Sequence, residues 1–597
     1  MTAGASASEA ADPYHWPTCT AEGCRGVRAE GRELCVGHLP DAHRRSVLAS
    51  GRWDCLRGVR VDADLLGQVL SRLPSDKRGR RMLSNLDVTA AVFTEDADFS
   101  KVDFGGMRAT FADAVFAGQA IFREASFEVD ANFGTTTFKR GAIFTKTTFA
   151  DRAFFKGAAF GGAGFELATF RGPAVFNGAK FEKSVTFHNA SFEESCYLLC
   201  EVGASVSLTQ CRFAKGLEMG YTIVGEVFDL SDSHFLEPST WASLLAARQV
   251  NLSGAVFDGP LEADIVTHEL VSKKTNWRAG VRLRLAGADA DLSGAIFGEP
   301  STLACRSDWI EPIPFSEANR KLSRRIPRLT SLIGANVDKL TIADVSIAAC
   351  RLIEAHNLDK LRLEGADLLA RTPANWRWTS RLTVAEEHHW RARHHEGKRQ
   401  RDWYGPATQP HAWADTDVGN PHPAQSPARI AETYRGLRKS REDAKDEPGA
   451  ADFYYGEMEM RRAGFKALLR GDVAAASPRQ TRRSARVEYA LLTAYWFVSG
   501  YGLRAWRALA LFGLLVLLTS VYFALWGIPP NTPVAGLSFP GRWSHGLLMS
   551  LESATSLIRA PGKPVTTAGE WVVLLLCYLG PILLALAALA VRARVKR

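Results

Sequence analysis

The sequence predicts a repeat solenoid followed by helices, two of them long enough to cross a membrane. Two observations carry this reading. Phenylalanines recur from Phe93 to Phe192 at steps of mostly five and six residues, and the segments 508–526 and 571–591 contain no charged side chain. The rest of the 597-residue chain is organised around these two features.

A step of five and six in alternation matches neither the 3.6-residue period of a helix nor the two-residue period of a strand. A small residue often stands two places before the phenylalanine, as in ANF at 131–133 and AKF at 179–181. Self-similarity at a fixed short period marks a solenoid, in which each coil covers the open edge of its neighbour. Each phenylalanine buried there contributes roughly 1.5–3 kcal/mol. The five-step returns in NLSGAVF at 251–257, DLSGAIF at 291–297 and LEGADLL at 363–369. The region 201–372 therefore reads as the same solenoid continued, interrupted by insertions such as 241–250 and the polar stretch 316–325. A separate α/β domain is the alternative.

ADF at 97–99, ATFADAVF at 109–116 and GAKFEKSVTF at 178–187 resemble the pentapeptide-repeat family in its phenylalanine-centred variant. The resemblance implies a right-handed quadrilateral β-helix with about five residues per face and the central apolar residue pointing inward. The extra residue in alternate units implies bulges or wider loops. The fold class expected is mainly β: a right-handed β-helix, then an α-helical hairpin and two transmembrane α-helices. Some relatives mimic DNA with a strongly acidic face. Between residues 93 and 194 this chain has 13 acidic and 11 basic residues, so no nucleic-acid role is expected.

The expected organisation is a Cys/His module at 1–60, a regular β-helix at 88–200, its degraded continuation at 201–372, and a charged helix at 373–404. A linker at 405–428, an αα-hairpin with a basic segment at 429–487, and a membrane domain at 488–597 follow. The hairpin helices are placed at 431–446 and 450–462, broken by Pro448 and Gly449.

At about 1.5 Å per residue each uncharged segment matches a hydrocarbon core roughly 30 Å thick. Arginines and lysines crowd the outer flanks: Arg479, Arg482, Arg483, Arg486, Arg504 and Arg507 before the first span, Arg592, Arg594, Lys596 and Arg597 after the second, against Arg542, Arg559 and Lys563 between them. Both termini are therefore expected to be cytoplasmic. Residues 1–17 carry no apolar core of a secretory signal. The segment 488–500 reads as an interfacial helix. The segment 544–558 is apolar on one face but too short to span, and reads as re-entrant or as an exposed interfacial helix. Glu552 within it is a candidate pore or membrane site. Helix, span, short helix, span resembles the layout of two-span potassium channels, without the glycines a filter needs.

Cys19, Cys24, Cys35 and His38 form C-x4-C-x10-C-x2-H. Three thiols and an imidazole suit tetrahedral structural zinc, with Gly23 and Gly26 expected to supply the tight turn and with buried free cysteines or redox chemistry as alternatives. His388, His389, His394 and His395 cluster in a segment read as a solvated charged helix. The stretches at 434–462 and 495–508 resemble the tail of bacterial membrane-bound pentapeptide-repeat proteins, some of which are labelled membrane-associated oxidoreductases. No dinucleotide, C-x-x-C or haem motif accompanies it here. The reading is a scaffold in a bacterial cell membrane with no evident catalytic site. Its expected partners are membrane lipids, an unidentified protein and further copies of itself through the membrane domain. A channel-like or sensor protein and an enzyme are the alternatives.

Overall fold

A computed structural model describes residues 16–77, 79–306, 317–365, 368–373, 380–394, 425–471, 482–556 and 565–595. The expected linker at 405–428 lies outside them except for its last four residues, and so does His395. The chain forms two compact units. One comprises Met1–Ile347 with Glu354–His356 and Leu363–Leu368. The other comprises Ala348–Ile353, Asn357–Arg362 and Leu369–Arg597.

The first unit is a parallel β-solenoid. One coil consists of four two-residue strands: Thr137–Phe138, Ala142–Ile143, Thr148–Phe149 and Ala153–Phe154. Each pairs in parallel with its equivalents one coil away, Phe138 with both Phe116 and Phe160, and Phe149 with both Phe127 and Phe170. The alternating spacing thus keeps four sides. Two steps of five and two of six close a coil in which Phe116, Phe138 and Phe160 recur every 22 residues. The two steps turn different corners. At a five-step, Thr136 N–H donates to the Phe133 carbonyl at 3.2 Å, and Thr135 takes a left-handed φ of 54°. At a six-step the extra residue opens the corner. There Gly118 packs so closely on the backbone of Glu95 and Asp96 that no side chain fits.

Every ladder phenylalanine points inward because side chains alternate across a strand. Phe116, Phe138, Phe149 and Phe160 are at most 1% exposed. Phe138 stacks on Phe116 at 5.0 Å and on Phe160 at 4.7 Å, with ring planes within 9°. Between sides the rings meet edge to face, as Phe133 does with Phe144 at 5.4 Å and 81°. The small residue two places earlier shares the interior, so Ala131, Ala142 and Ala153 are buried. Where it is a threonine its hydroxyl is satisfied: Thr136 and Thr147 donate to the carbonyls of Phe111 and Phe122, each at 2.7 Å.

The stack continues past residue 200. Phe192, Phe213, Phe235, Phe257, Trp277 and Phe297 form one ladder. The spacing predicts an insertion at 241–250, but these residues belong to the solenoid. They lie in strand Ser239–Asn251, which pairs with both Leu217–Val224 and Leu261–Val271. Longer strands straighten a corner, so the phenylalanine rhythm lapses while pairing persists. The N-terminal module, with helices α1 (Asp41–Ala49) and α2 (Ala63–Ser71), caps the first coil by pairing Arg60–Val61 with Val92–Phe93. Helix α3 (Glu317–Ser323) leaves the stack and buries Leu322 against Leu245, Val266 and Ala286.

The second unit is largely helical. α4 (Ala385–His394) is followed by α5 (Pro427–Asp443) and α6 (Glu447–Leu469). The hairpin breaks at Ala444–Lys445, with Lys445 at φ 59°, and not at Pro448. Pro448 sits in the first turn of α6, where no N–H partner is required, and the Asp446 side chain caps Gly449 N–H. α7 (Arg482–Ser499) is followed by α8 (Ala505–Tyr522), extended by a π-helical turn at Phe523–Gly527. α9 (Phe539–Thr555) and α10 (Thr567–Val595) complete the unit. Two stretches, Ala505–Gly527 and Thr567–Arg592, are long and apolar enough to cross a membrane.

Replacing Phe138 by alanine should cost about 3–5 kcal/mol of solenoid stability, because a rigid stack cannot collapse into the void. The outward Thr137→Ala should stay within about 0.5 kcal/mol. Denaturant unfolding of the two variants checks this, and equal losses would refute the inward ladder.

Candidate metal centre and buried charge lattice

Cys19, Cys24, Cys35 and His38 converge, with one ligand atom from each lying within 4.8 Å of the others. A two-strand knuckle places the first pair: Cys19 N–H donates to the Gly26 carbonyl at 2.7 Å, and Gly23 turns the chain at φ 70°. Gly26 serves differently from the tight turn expected of it. Its Cα faces Cys35, whose Cβ would lie 2.9 Å from any added methyl. A 3-10 turn, Val36–His38, brings the imidazole back beside Cys35.

The distances fit a tetrahedral ion. Cys24 Sγ and Cys35 Sγ are 3.7 Å apart, and His38 Nδ1 is 3.5 Å from Cys19 Sγ and 3.4 Å from Cys35 Sγ. Zinc–sulfur bonds of about 2.3 Å at tetrahedral angles separate two sulfurs by roughly 3.8 Å. Backbone N–H groups of Cys35 and Gly26 donate to the sulfurs of Cys19 and Cys24, as thiolates require. Burial opposes ionisation of Cys19, but the N–H groups of Cys35 and Ala21 outweigh it and bring the thiol down to about 7. Burial and the neighbouring Cys24 push Cys35 up to about 12. A bound cation would relieve that conflict.

The second site is one that sequence reasoning missed. α4, expected to be a solvated charged helix, is buried: Glu387 is 0%, His388 2% and Arg391 5% exposed. Arg381 holds Glu387 by donating from Nη2 to both carboxylate oxygens, at 2.6 and 2.7 Å. Tyr434 of α5 donates to Glu387 at 2.5 Å, and Arg391 adds a second cation at 2.7 Å. Arg391 also reaches Glu459 of α6 at 3.3 Å, and Glu459 accepts from Arg462 at 2.9 Å and from Tyr501 at 3.1 Å. Arg462 lies over the Trp496 ring at 4.5 Å, and Arg507 lies over the same ring at 5.0 Å. One connected lattice thus runs from α4 through the hairpin to the junction of α7 and α8. The Glu386 carboxylate accepts the N–H groups of Leu352 and Ile353, which ties α4 to the segment Ala348–Ile353 of its unit. Helical-wheel reasoning finds the Glu387–Arg391 pair at i, i+4 but not Arg381, Tyr434 or Glu459, which lie 6, 47 and 68 residues from their partners on α4. The available signal was YYGEMEM at 454–460, where two carboxylates stand in an apolar helix and demand cations.

Glu552 is exposed on α9, but the helix itself is not a free interfacial one. Met549 and Ala554 pack with Val516, Phe523, Val573 and Leu576 of the two long apolar helices. Thr519 donates to Ser550 at 3.1 Å, and Trp543 donates to Ser520 at 3.1 Å. The Ala554 backbone lies against Gly580, about 20 Å along α10 from its start. α9 therefore runs beside both helices, reaching about half the length of α10.

The comparisons add one match. A model of the pentapeptide repeats, in nine copies, matches residues 155–198. Residues 155–198 are a pentapeptide-repeat stretch of the solenoid. No curated protein and no solved structure matches the chain. The match begins where Phe155, Phe160, Phe165 and Phe170 stand at successive five-residue steps, and the strand pairing extends the same solenoid on both sides of it.

Burial pulls His388 down to about 4, with its Nε2 2.8 Å from the Thr383 hydroxyl. The unfolded chain binds that proton near pH 6.5, so the stability held by neutral His388 is present above about 6.5 and lost as pH falls towards 4. Burial opposes ionisation of Glu387 too, but Arg381 and Arg391 win and hold it at about 2. Its contribution persists above the ordinary carboxylate range and is lost below it. Thermal melts of the purified chain should therefore weaken in two stages below pH 6.5. His388→Asn should flatten the upper stage alone; an unchanged profile would mean His388 does not carry it.

Proposed function

We propose that this chain is a membrane-anchored scaffold whose pentapeptide-repeat faces bind a partner protein. The observation that carries the reading is the register of outward side chains. Asn132, Phe154, Val175 and Tyr197 occupy equivalent positions on successive coils of one side. Ser126, Thr148, Thr169 and Ser191 do so on another. Strand pairing holds such rows at about 4.8 Å spacing, so each side is a flat, pre-organised surface that loses little entropy on binding. α8 and α10 supply the anchor, and the charge lattice holds the hairpin to the junction of α7 and α8.

Capture from detergent extracts with the full chain should recover a partner that the full-length double variant Val175→Lys, Tyr197→Lys does not. Identical capture by both would refute recognition through that side.

The N-terminal cluster is a structural zinc site in this reading. Cys19, Cys24, Cys35 and His38 fill all four positions, which leaves none open for substrate. Metal analysis of the purified chain should find one zinc per chain, reduced to background in Cys24→Ser, Cys35→Ser. A wild-type chain without zinc would refute it.

A further inference from the structure

We propose that α7 binds anionic phospholipid, its outward face lying in the interfacial layer and its N-terminal arginines holding lipid phosphates. This rests on the reading of α8 and α10 as membrane spans.

The inward face of α7 is already occupied. Leu492, Tyr495 and Trp496 pack around Tyr455, Met458 and Tyr501, and Ala485 and Ser499 are buried on the same side. The opposite face is apolar and open: Val487 is 59%, Leu491 60% and Phe497 60% exposed. At 100° per residue these three, with Ala490 and Ala494, fall on one stripe. Arg483 heads that stripe, and Arg482 and Arg486 line one edge of it. All three arginines are exposed, and none has an ion pair to a described residue.

The junction with α8 identifies the occupant. Gly500, Tyr501 and Gly502 take left-handed φ values of 55°, 59° and 76° in succession, which ends α7 sharply. Tyr501 tolerates this because its ring is 1% exposed between Tyr455 and Tyr495 and its hydroxyl donates to Glu459. Arg507 closes the junction by donating to the Trp496 carbonyl at 3.0 Å. Beyond it, Trp506 and Leu509 are 64% and 48% exposed, so the open apolar surface runs on from α7 to the first span. What covers the span covers this stripe. A helix with one apolar face and a basic edge beside a span matches the headgroup layer, where guanidinium groups pair with phosphate oxygens.

The test uses the full chain in neutral detergent, titrated with dioleoyl-phosphatidylglycerol or dioleoyl-phosphatidylcholine and read by native mass spectrometry. Phosphatidylglycerol should be retained preferentially. Arg482→Gln, Arg483→Gln, Arg486→Gln together should weaken it about 100-fold, while the matching triple lysine variant keeps most of the affinity. Equal retention of both lipids, or an unaffected glutamine variant, overturns the proposal. So does displacement of the lipid by inorganic phosphate, which would mark a free-anion site, or preferential capture of a soluble protein by the same arginines. In nanodiscs, a fluorophore on Phe497→Cys should be quenched by brominated acyl chains, and no quenching overturns the placement. Carbonate extraction separates the two readings. A chain that resists extraction yet shows no lipid preference refutes only the α7 site, whereas a chain that is extracted refutes the spans.

Discussion

Ring stacking and backbone pairing share one distance in this solenoid. Hydrogen-bonded strands lie about 4.8 Å apart, and Phe149 lies 4.8 Å from Phe170, with their planes 8° apart. A phenyl ring can therefore stack on its equivalent without straining the ladder that carries it. That coincidence explains why the coil tolerates five- and six-residue steps. A wider corner changes the outline of one coil, but if every coil widens at the same corner the rings still superpose. It also explains the continuation past residue 200. Leucine, valine or tryptophan can stand in the column, as Trp277 does at 4.4 Å from Phe257, provided pairing holds the register.

The helical unit is held by the opposite kind of interaction. Its centre is a lattice of carboxylates, guanidiniums and phenols that is almost closed to water. Such groups are expensive to bury, and an apolar core of the same shape would often be as stable. What the lattice adds is specificity. Glu387 is satisfied only when Arg381, Arg391 and Tyr434 are all in place. Loss of one partner leaves a buried charge, so α4, α5 and α6 hold together in one arrangement. Tyr501 and Trp496 carry the same constraint to the start of α8, where the chain is bent through three left-handed residues.

The apolar helices show how a short helix becomes part of a larger assembly. α9 is too short to cross a bilayer, yet small residues let it approach closely: Gly546 sits against Ser520 and Ala524, and Gly580 against Ala554. Small-residue contacts of this kind are how helices pack where the hydrophobic effect between them is weak. Glu552 faces away from that packing, next to the buried Ser553 and Ala554.

The solenoid, the two long apolar helices and the Cys/His grouping were legible in the amino-acid sequence. Each rests on a local regularity: a repeat period, an uncharged run, a ligand spacing. The sequence by itself determined which side chains point into the coil, because the phenylalanine of each five- or six-residue unit marks its buried position. The structure alone decided what depends on distant partners. Residues 241–250 look like an insertion until their strand is paired, and EEHHWRAR looks solvated until Arg381, Tyr434 and Glu459 arrive. Gly26 reads as a turn residue until Cys35 lies against it, and Pro448 reads as a helix breaker until it is seen in the first turn. The physical reason is common to all four. Period and composition report what a segment offers to a neighbour, but burial, charge pairing and close approach are properties of the neighbour as well.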